Sequence, residues 1–125
     1  MGPALISIVD DDELYRDSIQ KLVRLLGYTV ETFPSAAEFL GSRLVPATAC
    51  LVVDVHMPGM TGIELHEHLV KSGHAIPTIL VTAYPEEALR DRALKAGVVC
   101  FLSKPVDDFE LERCLRAALE RAATA

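Results

Sequence analysis

The sequence has no long apolar run, although 50% of its 125 residues are hydrophobic. A helix that crosses a bilayer needs about 20 consecutive apolar residues, and no stretch of the chain approaches that length. The first residues also lack the basic and apolar regions of a secretion signal. These absences argue against a membrane protein, and we expect a cytoplasmic one.

Basic residues are scarce relative to acidic ones. The chain has 12 lysines and arginines against 18 aspartates and glutamates, which gives a formal net charge of -6. Such a surface repels a phosphate backbone, and no cluster of basic and aromatic residues offsets the excess. We therefore do not expect this chain to bind nucleic acid directly.

Cysteine is sparse as well, with three residues in the chain. They are odd in number, far apart and never spaced as C-x-x-C, so the pattern indicates neither a disulfide framework nor a zinc site. We expect Cys50, Cys100 and Cys114 to be buried, reduced thiols.

The glycine-rich loops that bind nucleotide phosphates are also missing. Neither G-x-G-x-x-G nor G-x-x-x-x-G-K-[ST] occurs. The first apolar run instead ends in carboxylates, which repel phosphates unless a metal intervenes. These features argue against a nucleotide- or flavin-binding enzyme.

What the chain does contain is a regular alternation of short apolar runs and amphipathic segments. Strands are predicted at 5–9, 28–33, 50–53, 76–81 and 98–102, and helices at 14–26, 35–40, 63–70, 86–96 and from 107 onward. Near-continuous apolar strands joined by helices indicate a parallel sheet covered on both faces. We predict a doubly wound, five-stranded α/β domain spanning 1–125, with a core of about 4–122 and no output domain in this chain.

Polar residues follow four of these strands. Asp10 and Asp11 follow the first, Asp54 the third, Thr82 the fourth, and Lys104 comes after the fifth. Ligands of doubly wound sheets bind beyond the carboxyl ends of the strands, so we expect one shared site there. Three carboxylates would repel one another unless a hard divalent cation and Lys104 compensate them. Asp11 and Asp54 are the expected direct ligands of magnesium.

Four motifs at these positions resemble the signature of response-regulator receiver domains of two-component systems. They are Val9-Asp10-Asp11, Asp54-Val-His-Met-Pro-Gly-Met-Thr-Gly62, Thr82-Ala83 and Phe101-Leu-Ser-Lys104-Pro105. The stretch 50–65, with 33–40 upstream, further resembles the FixJ-like branch of bacterial regulators. The resemblance implies a flavodoxin-like fold with strand order 2-1-3-4-5.

The resemblance also implies the chemistry. Asp54 would be the nucleophile that takes a phosphoryl group from a sensor histidine kinase and becomes an aspartyl phosphate. Mg²⁺, for which Mn²⁺ could substitute, would be held by Asp11, Asp54 and the backbone carbonyl of His56. Asp10 would contact the metal through a water. The domain would not be an enzyme in the usual sense, although it assists its own phosphorylation and dephosphorylation.

Further implied roles concern the phosphoryl oxygens and the switch. Thr82 and Lys104 would stabilise those oxygens. Thr82 would draw its loop toward the site, and Phe101 would turn into the space vacated. Pro105 would position Lys104 through a cis peptide bond.

Two side chains beside the site bear on how long the phosphoryl group persists. His56 and Tyr84 occupy positions that flank the attacking-water path in related domains, and both are bulky. We expect them to lengthen the phosphoryl lifetime.

The family's usual surfaces imply two protein partners. The kinase would dock on the first helix and the loop after the fifth strand, at Tyr15, Ser18 and Pro105. A phosphorylation-dependent homodimer would form through the fourth helix, fifth strand and fifth helix. Its candidate apolar contacts are Leu89, Val99 and Leu111.

Other functions remain open at this point. A haloacid-dehalogenase-like phosphatase also uses a strand-end aspartate and magnesium, but its second aspartate would stand where this chain has His56. A pseudo-receiver would bind a partner without phosphorylation, and the intact set of strand-end residues argues against it. The alanine-rich end from Arg116 suits either the tail of a single-domain regulator or the point before a DNA-binding module.

Overall fold

A computed structural model describes residues 3–124. The strands are β1 (Leu5–Val9), β2 (Thr29–Phe33), β3 (Cys50–Asp54), β4 (Thr78–Thr82) and β5 (Cys100–Ser103). The helices are α1 (Glu13–Leu25), α2 (Ala36–Leu40), α3 (Gly62–Lys71), α4 (Glu87–Lys95) and α5 (Asp108–Thr124). The predicted alternation is confirmed, with element boundaries shifted by at most two residues. Among these helices, none has the length and apolar character needed to cross a bilayer.

The strands of the described chain form a parallel sheet in the order β2-β1-β3-β4-β5. Since β1 pairs with both β2 and β3, the direction of winding reverses at β1, and a crevice opens between the loops that follow β1 and β3. Asp10 follows β1 and Asp54 ends β3, so both lie at this crevice. The doubly wound fold and its strand order are confirmed.

Side chains alternate between the two faces of the sheet and form two apolar cores. Val53 belongs to the core beneath α2, α3 and α4, with Leu65. Its neighbour Val52 belongs to the core beneath α1 and α5, with Val23 and Leu115. Slipping β3 by one residue would move each side chain into the other core, so the close packing of both cores fixes the register that holds Asp54 at the sheet edge.

The expectation of three reduced thiols is wrong for two of them. Cys100 of β5 and Cys114 of α5 form a disulfide with Cα atoms 6.2 Å apart, while Cys50 is a free, buried thiol. Burial raises the pKa of Cys50 to about 12. The spacing along the sequence did not indicate this pair, because α5 folds back over the sheet at β3 and β4 and brings the Cα atom of Cys114 within disulfide range of Cys100.

We expect this disulfide to stabilise the domain. Its cysteines are separated by 14 residues in sequence. Cross-linking a loop of that size lowers the entropy of the unfolded chain and so raises its free energy by about 3 kcal/mol. The urea midpoint of the oxidised protein should therefore fall when reductant is added, and the Cys100→Ser variant should be insensitive to reductant. Equal midpoints for the wild-type protein with and without reductant would contradict this expectation.

Two leucines lie where their spacing did not indicate. Leu14 opens the helix predicted at 14–26 and is apolar, yet it is 83% exposed, because the buried stripe of α1 runs through Ile19 and Val23. Leu111, a candidate dimer contact, is 0% exposed. Its side chain faces the sheet from α5, within the core that contains Leu115, and is not accessible to a partner.

Candidate functional site

Three carboxylates converge at the carboxyl edge of the sheet. Ligand oxygens of Asp10, Asp11 and Asp54 all lie within 4.8 Å of one another. Asp10 and Asp54 are buried and Asp11 is exposed, so the cluster opens to solvent on one side. Mg²⁺ takes oxygen ligands and usually keeps several waters, so a small carboxylate cluster with one open side suits it. The residues present therefore fit the divalent cation expected from the sequence.

Lys104 approaches this cluster from the loop between β5 and α5. Its Nζ donates a hydrogen bond to Asp10 Oδ2 at 3.0 Å and lies 3.7 Å from Asp54 Oδ2. The lysine side chain is 16% exposed, so these ion pairs are less screened than surface pairs. One ammonium cannot balance three carboxylates, and the cluster keeps a net negative charge that attracts a further cation.

The carboxyl group of Asp54 has a perturbed pKa. Burial raises this pKa to about 6, Lys104 opposes the shift, Asp10 and Asp11 add to it, and a hydrogen bond from the His56 backbone opposes it. At neutral pH the carboxylate is mostly ionised, yet it is more basic than an ordinary aspartate. Greater basicity and a partly protected position are both features of a nucleophilic carboxylate.

The acidic run after β1 divides its members between two tasks. Asp12 caps α1, where its Oδ1 accepts hydrogen bonds from the backbone N–H groups of Leu14 and Tyr15. Asp10 is fixed by the Asp12 N–H, which donates to its Oδ1 at 2.9 Å, and by Arg16, whose Nη1 donates to its carbonyl oxygen at 2.7 Å. A helix cap and a carboxylate site thus share one short segment.

Gly62, the first residue of α3, lies directly against the backbone of Asp54. A Cβ at this position would stand 2.5 Å from the Asp54 carbonyl oxygen and 3.0 Å from Leu80 Cδ2. The helix begins with a reciprocal capping box in which Thr61 and Glu64 bond each other's backbone N–H groups. The sequence shows Gly62 only as the last residue of the motif that begins at Asp54, and the close contact between the two appears only in the folded structure.

Replacing Gly62 with alanine should destabilise the domain by about 1–3 kcal/mol, since the new methyl group forces the Asp54 strand end or α3 to move. Denaturant unfolding would measure this change. Gly41→Ala is the matched control, because the nearest atom to its Cβ is the Ala37 carbonyl oxygen at 3.4 Å. If the Gly62→Ala variant is as stable as the wild-type protein, the start of α3 is not tightly packed against the Asp54 backbone.

Thr82 and Phe101 lie on neighbouring strands and face the same side of the sheet. Thr82 is fully buried at the end of β4, and its Oγ1 accepts a hydrogen bond from the Tyr84 N–H at 3.0 Å. Phe101 pairs with Leu80 in the sheet register and is half-buried. It lines a surface cleft of about 410 Å³ between β5 and α4. The aromatic ring therefore has space on its outer side.

The loops after β3 and β4 meet through two aromatic rings. His56 and Tyr84 are both exposed, and their ring centroids are 5.7 Å apart at an interplanar angle of 73°. Each ring follows a strand-end residue of the site, Asp54 or Thr82, by two positions. The pair thus joins the loop that follows Asp54 to the loop that follows Thr82.

Other residues complete the site or its support. The Lys104–Pro105 peptide bond is cis, as the resemblance implied. The Tyr15 ring lies beneath Lys104, with Nζ 4.1 Å from the ring centroid. Burial, reinforced by Asp10, raises the pKa of Tyr15 to about 12, so the ring is neutral.

His66 of α3 is buried and supports the fold. Its Nδ1 is hydrogen-bonded to Thr78 Oγ1 and its Nε2 to the Ala96 carbonyl oxygen, each at 2.9 Å. The sequence indicated Tyr15 only as a kinase-docking residue and gave no role to His66, because the partners of both side chains are distant in sequence.

Comparison with known proteins places this fold and site in a family. The chain matches the response regulator receiver domain over residues 6–116. It is 38% identical over 119 residues to response regulator protein TodT of Pseudomonas putida, covering 95% of this chain and 52% of that protein. It is 40% identical over 118 residues to nodulation protein W of Bradyrhizobium diazoefficiens, covering 94% and 52% respectively.

The solved structures agree. A crystal structure of FixJ-N superposes with a TM-score of 0.85 at 33% identity and covers 96% of each chain. The chain spans about half the length of the curated relatives that it matches. The family match, these relatives and the geometry of the acidic crevice lead to one conclusion: this chain belongs to the response regulator receiver domain family, on its FixJ-like side.

Proposed function

We propose that this domain takes a phosphoryl group from a sensor histidine kinase onto Asp54, with Mg²⁺ as cofactor. The observation that carries the proposal is the convergence of Asp10, Asp11, Asp54 and Lys104 at the carboxyl edge of the sheet. A basic, partly protected carboxylate beside a fixed ammonium and a cation site is the arrangement that phosphoryl transfer requires.

Phosphoryl transfer passes through a loose, in-line transition state in which charge spreads over three equatorial oxygens, so catalysis is mainly positioning and neutralisation. A carboxylate oxygen of Asp54 attacks phosphorus, the bond from phosphorus to the kinase histidine breaks, and the released imidazole keeps the electron pair. Asp11, Asp54 and the His56 carbonyl would hold Mg²⁺, and Asp10 would contact it through a water. The metal, or Mn²⁺ in its place, would neutralise phosphoryl oxygens. The Lys104 ammonium, 3.7 Å from Asp54 Oδ2, would neutralise phosphoryl oxygens as well.

Thr82 and Phe101 are the proposed switch. Thr82 Oγ1 accepts from the Tyr84 N–H, which leaves its own hydrogen available for a phosphoryl oxygen. That new bond would draw the β4–α4 loop inward and open space for Phe101, which shares the same face of the sheet. Unchanged Thr82 and Phe101 rotamers in a phosphate-mimic complex would contradict this. Pro105 is the proposed positioning residue for Lys104.

The His56–Tyr84 pair should slow loss of the phosphoryl group, because hydrolysis needs a water to reach Asp54 and these two rings join the loops beside it. We expect His56→Ala with Tyr84→Ala to shorten the phosphoryl lifetime about fivefold, equivalent to roughly 1 kcal/mol of barrier. Decay of the purified phosphoprotein, followed by intact mass, measures it. Tyr84→Phe keeps the ring and should keep the lifetime. An unchanged lifetime in the double alanine variant would remove this role.

Two surfaces are proposed for partners. A groove beside α1 and the β5–α5 loop, lined by Tyr15, Ser18 and Pro105, is the proposed kinase-docking surface. Self-association would use α4, β5 and α5. Leu89 and Val99 are partly buried there, Leu111 is not accessible, and Phe109 on α5 is 80% exposed.

We propose a cytoplasmic domain that folds as one unit and does not itself bind nucleic acid or membranes.

The proposal is tested by incubating the domain with acetyl phosphate, with and without Mg²⁺, beside the Asp54→Asn variant. Intact mass should show one phosphoryl adduct in the wild-type protein that requires Mg²⁺ and is absent from the variant. Size-exclusion chromatography of the same samples reports phosphorylation-dependent association. No adduct under conditions that modify a control receiver would favour a pseudo-receiver that binds its partner without phosphorylation.

A further inference from the structure

The ammonium of Lys104 is enclosed on three sides. Two sides are carboxylates, Asp10 Oδ2 at 3.0 Å and Asp54 Oδ2 at 3.7 Å. The third is the face of the Tyr15 ring, whose centroid is 4.1 Å from Nζ. A cation over an aromatic face is attracted by the ring quadrupole, and the attraction grows when water is excluded.

The ring of Tyr15 is itself firmly placed. It lies in the first turn of α1, where its backbone N–H donates to the capping carboxylate of Asp12. Its side chain packs against the apolar core beneath α1 and α5, and Val106 of the β5–α5 loop packs there too. The aromatic face is therefore fixed by the helix cap and the core, independently of Lys104.

The two kinds of contact differ in how they tolerate movement. The Asp10 hydrogen bond is directional, whereas the face of an aromatic ring attracts a cation over a broad area. During transfer the ammonium has to leave Asp10 and approach the phosphoryl group arriving at Asp54. Contact with Tyr15 can persist through that shift, so a flexible four-carbon side chain stays at the site instead of entering solvent.

We propose that Tyr15 is a positioning residue that holds Lys104 in the crevice while the ammonium exchanges Asp10 for the phosphoryl oxygens. The inference rests on the proposed phosphorylation of Asp54. It assigns the effect to the ring face and not to the hydroxyl group, and it places that effect within the chemical step, independently of kinase docking.

The test compares Tyr15→Phe, which keeps the ring, with Tyr15→Leu, which keeps an apolar side chain but loses the aromatic face. Phosphorylation by acetyl phosphate avoids any kinase surface. The rate should be near wild-type in Tyr15→Phe and about tenfold lower in Tyr15→Leu, the factor expected for a partly desolvated cation–π contact. In a Lys104→Ala background, Tyr15→Leu should have no further effect. Thermal unfolding checks that each variant is folded.

A second readout does not depend on phosphorylation. The ε-methylene protons of Lys104 should be shifted upfield by the ring current in the wild-type protein and in Tyr15→Phe, and this shift should vanish in Tyr15→Leu. Equal phosphorylation rates in all three proteins would overturn the proposal, as would a slowing by Tyr15→Leu that persists without Lys104. If the wild-type protein forms no adduct, the proposed function fails and the transfer role with it, while the ring-current shift still decides whether the contact exists.

Discussion

Replacing Lys104 with alanine should slow Mg²⁺-dependent phosphorylation of Asp54 by about a hundredfold or more, because one fixed donor of transition-state charge stabilisation is commonly worth that much. The ammonium lies 3.7 Å from the Asp54 carboxylate and is 16% exposed. Water cannot fully substitute for a charge held in that geometry. Single-turnover kinetics with acetyl phosphate, read by intact mass, measures the loss.

The control for this prediction is Lys71→Ala, which removes an exposed lysine from the end of α3. Its rate should match the wild-type rate, since a solvent-screened charge outside the crevice does not act on the phosphoryl oxygens. A Lys104→Ala rate close to wild-type would mean that the bound metal alone neutralises the developing charge, and the proposed role of the lysine would be withdrawn.

The affinity for Mg²⁺ should fall about tenfold between pH 7 and pH 5, because a proton and the metal compete for Asp54. Burial raises the pKa of this carboxyl to about 6 in the folded protein. Titration calorimetry at constant ionic strength measures the affinity at each pH. Asp54→Asn should bind the metal weakly and show a much flatter pH profile in this window. A wild-type affinity that stays constant from pH 7 to pH 5 would contradict the assignment.

The same pKa fixes the sign of a change in stability. An acid whose folded pKa lies above its unfolded value binds its proton more tightly when the protein is folded. The contribution of Asp54 to the stability of the metal-free domain is therefore greatest at acidic pH and is lost as the pH rises through about 6. Acidification to pH 5 should thus weaken metal binding while strengthening this contribution.

The fold and the location of the site could be predicted because both follow from local pattern. Short apolar runs separated by helices allow few arrangements other than a parallel doubly wound sheet. Once the strands are parallel, the residues that follow them meet at one edge. That rule alone predicts that Asp10, Asp54 and Lys104 lie close together. In the structure the Lys104 Nζ is 3.0 Å from Asp10 Oδ2 and 3.7 Å from Asp54 Oδ2.

Features that depend on how distant surfaces meet could not be predicted in this way. Cys100 and Cys114 were expected to be unpaired because only their spacing was considered, and their pairing depends on where α5 packs. Leu111 is apolar, and an apolar residue suits the core of the domain as well as a dimer interface. The close approach of Gly62 to Asp54 and the seating of Lys104 on Tyr15 are likewise products of packing, which sequence pattern does not encode locally.

The central claim is that Asp54 accepts the phosphoryl group, and the most direct measurement identifies the modified residue. Reducing the phosphorylated domain with borohydride converts an aspartyl phosphate into homoserine, which peptide mass spectrometry locates. The account predicts homoserine at position 54, formed only after treatment with phosphodonor and Mg²⁺. Homoserine at Asp10 or Asp11 instead, or at no position in a protein that carries the adduct, would contradict it.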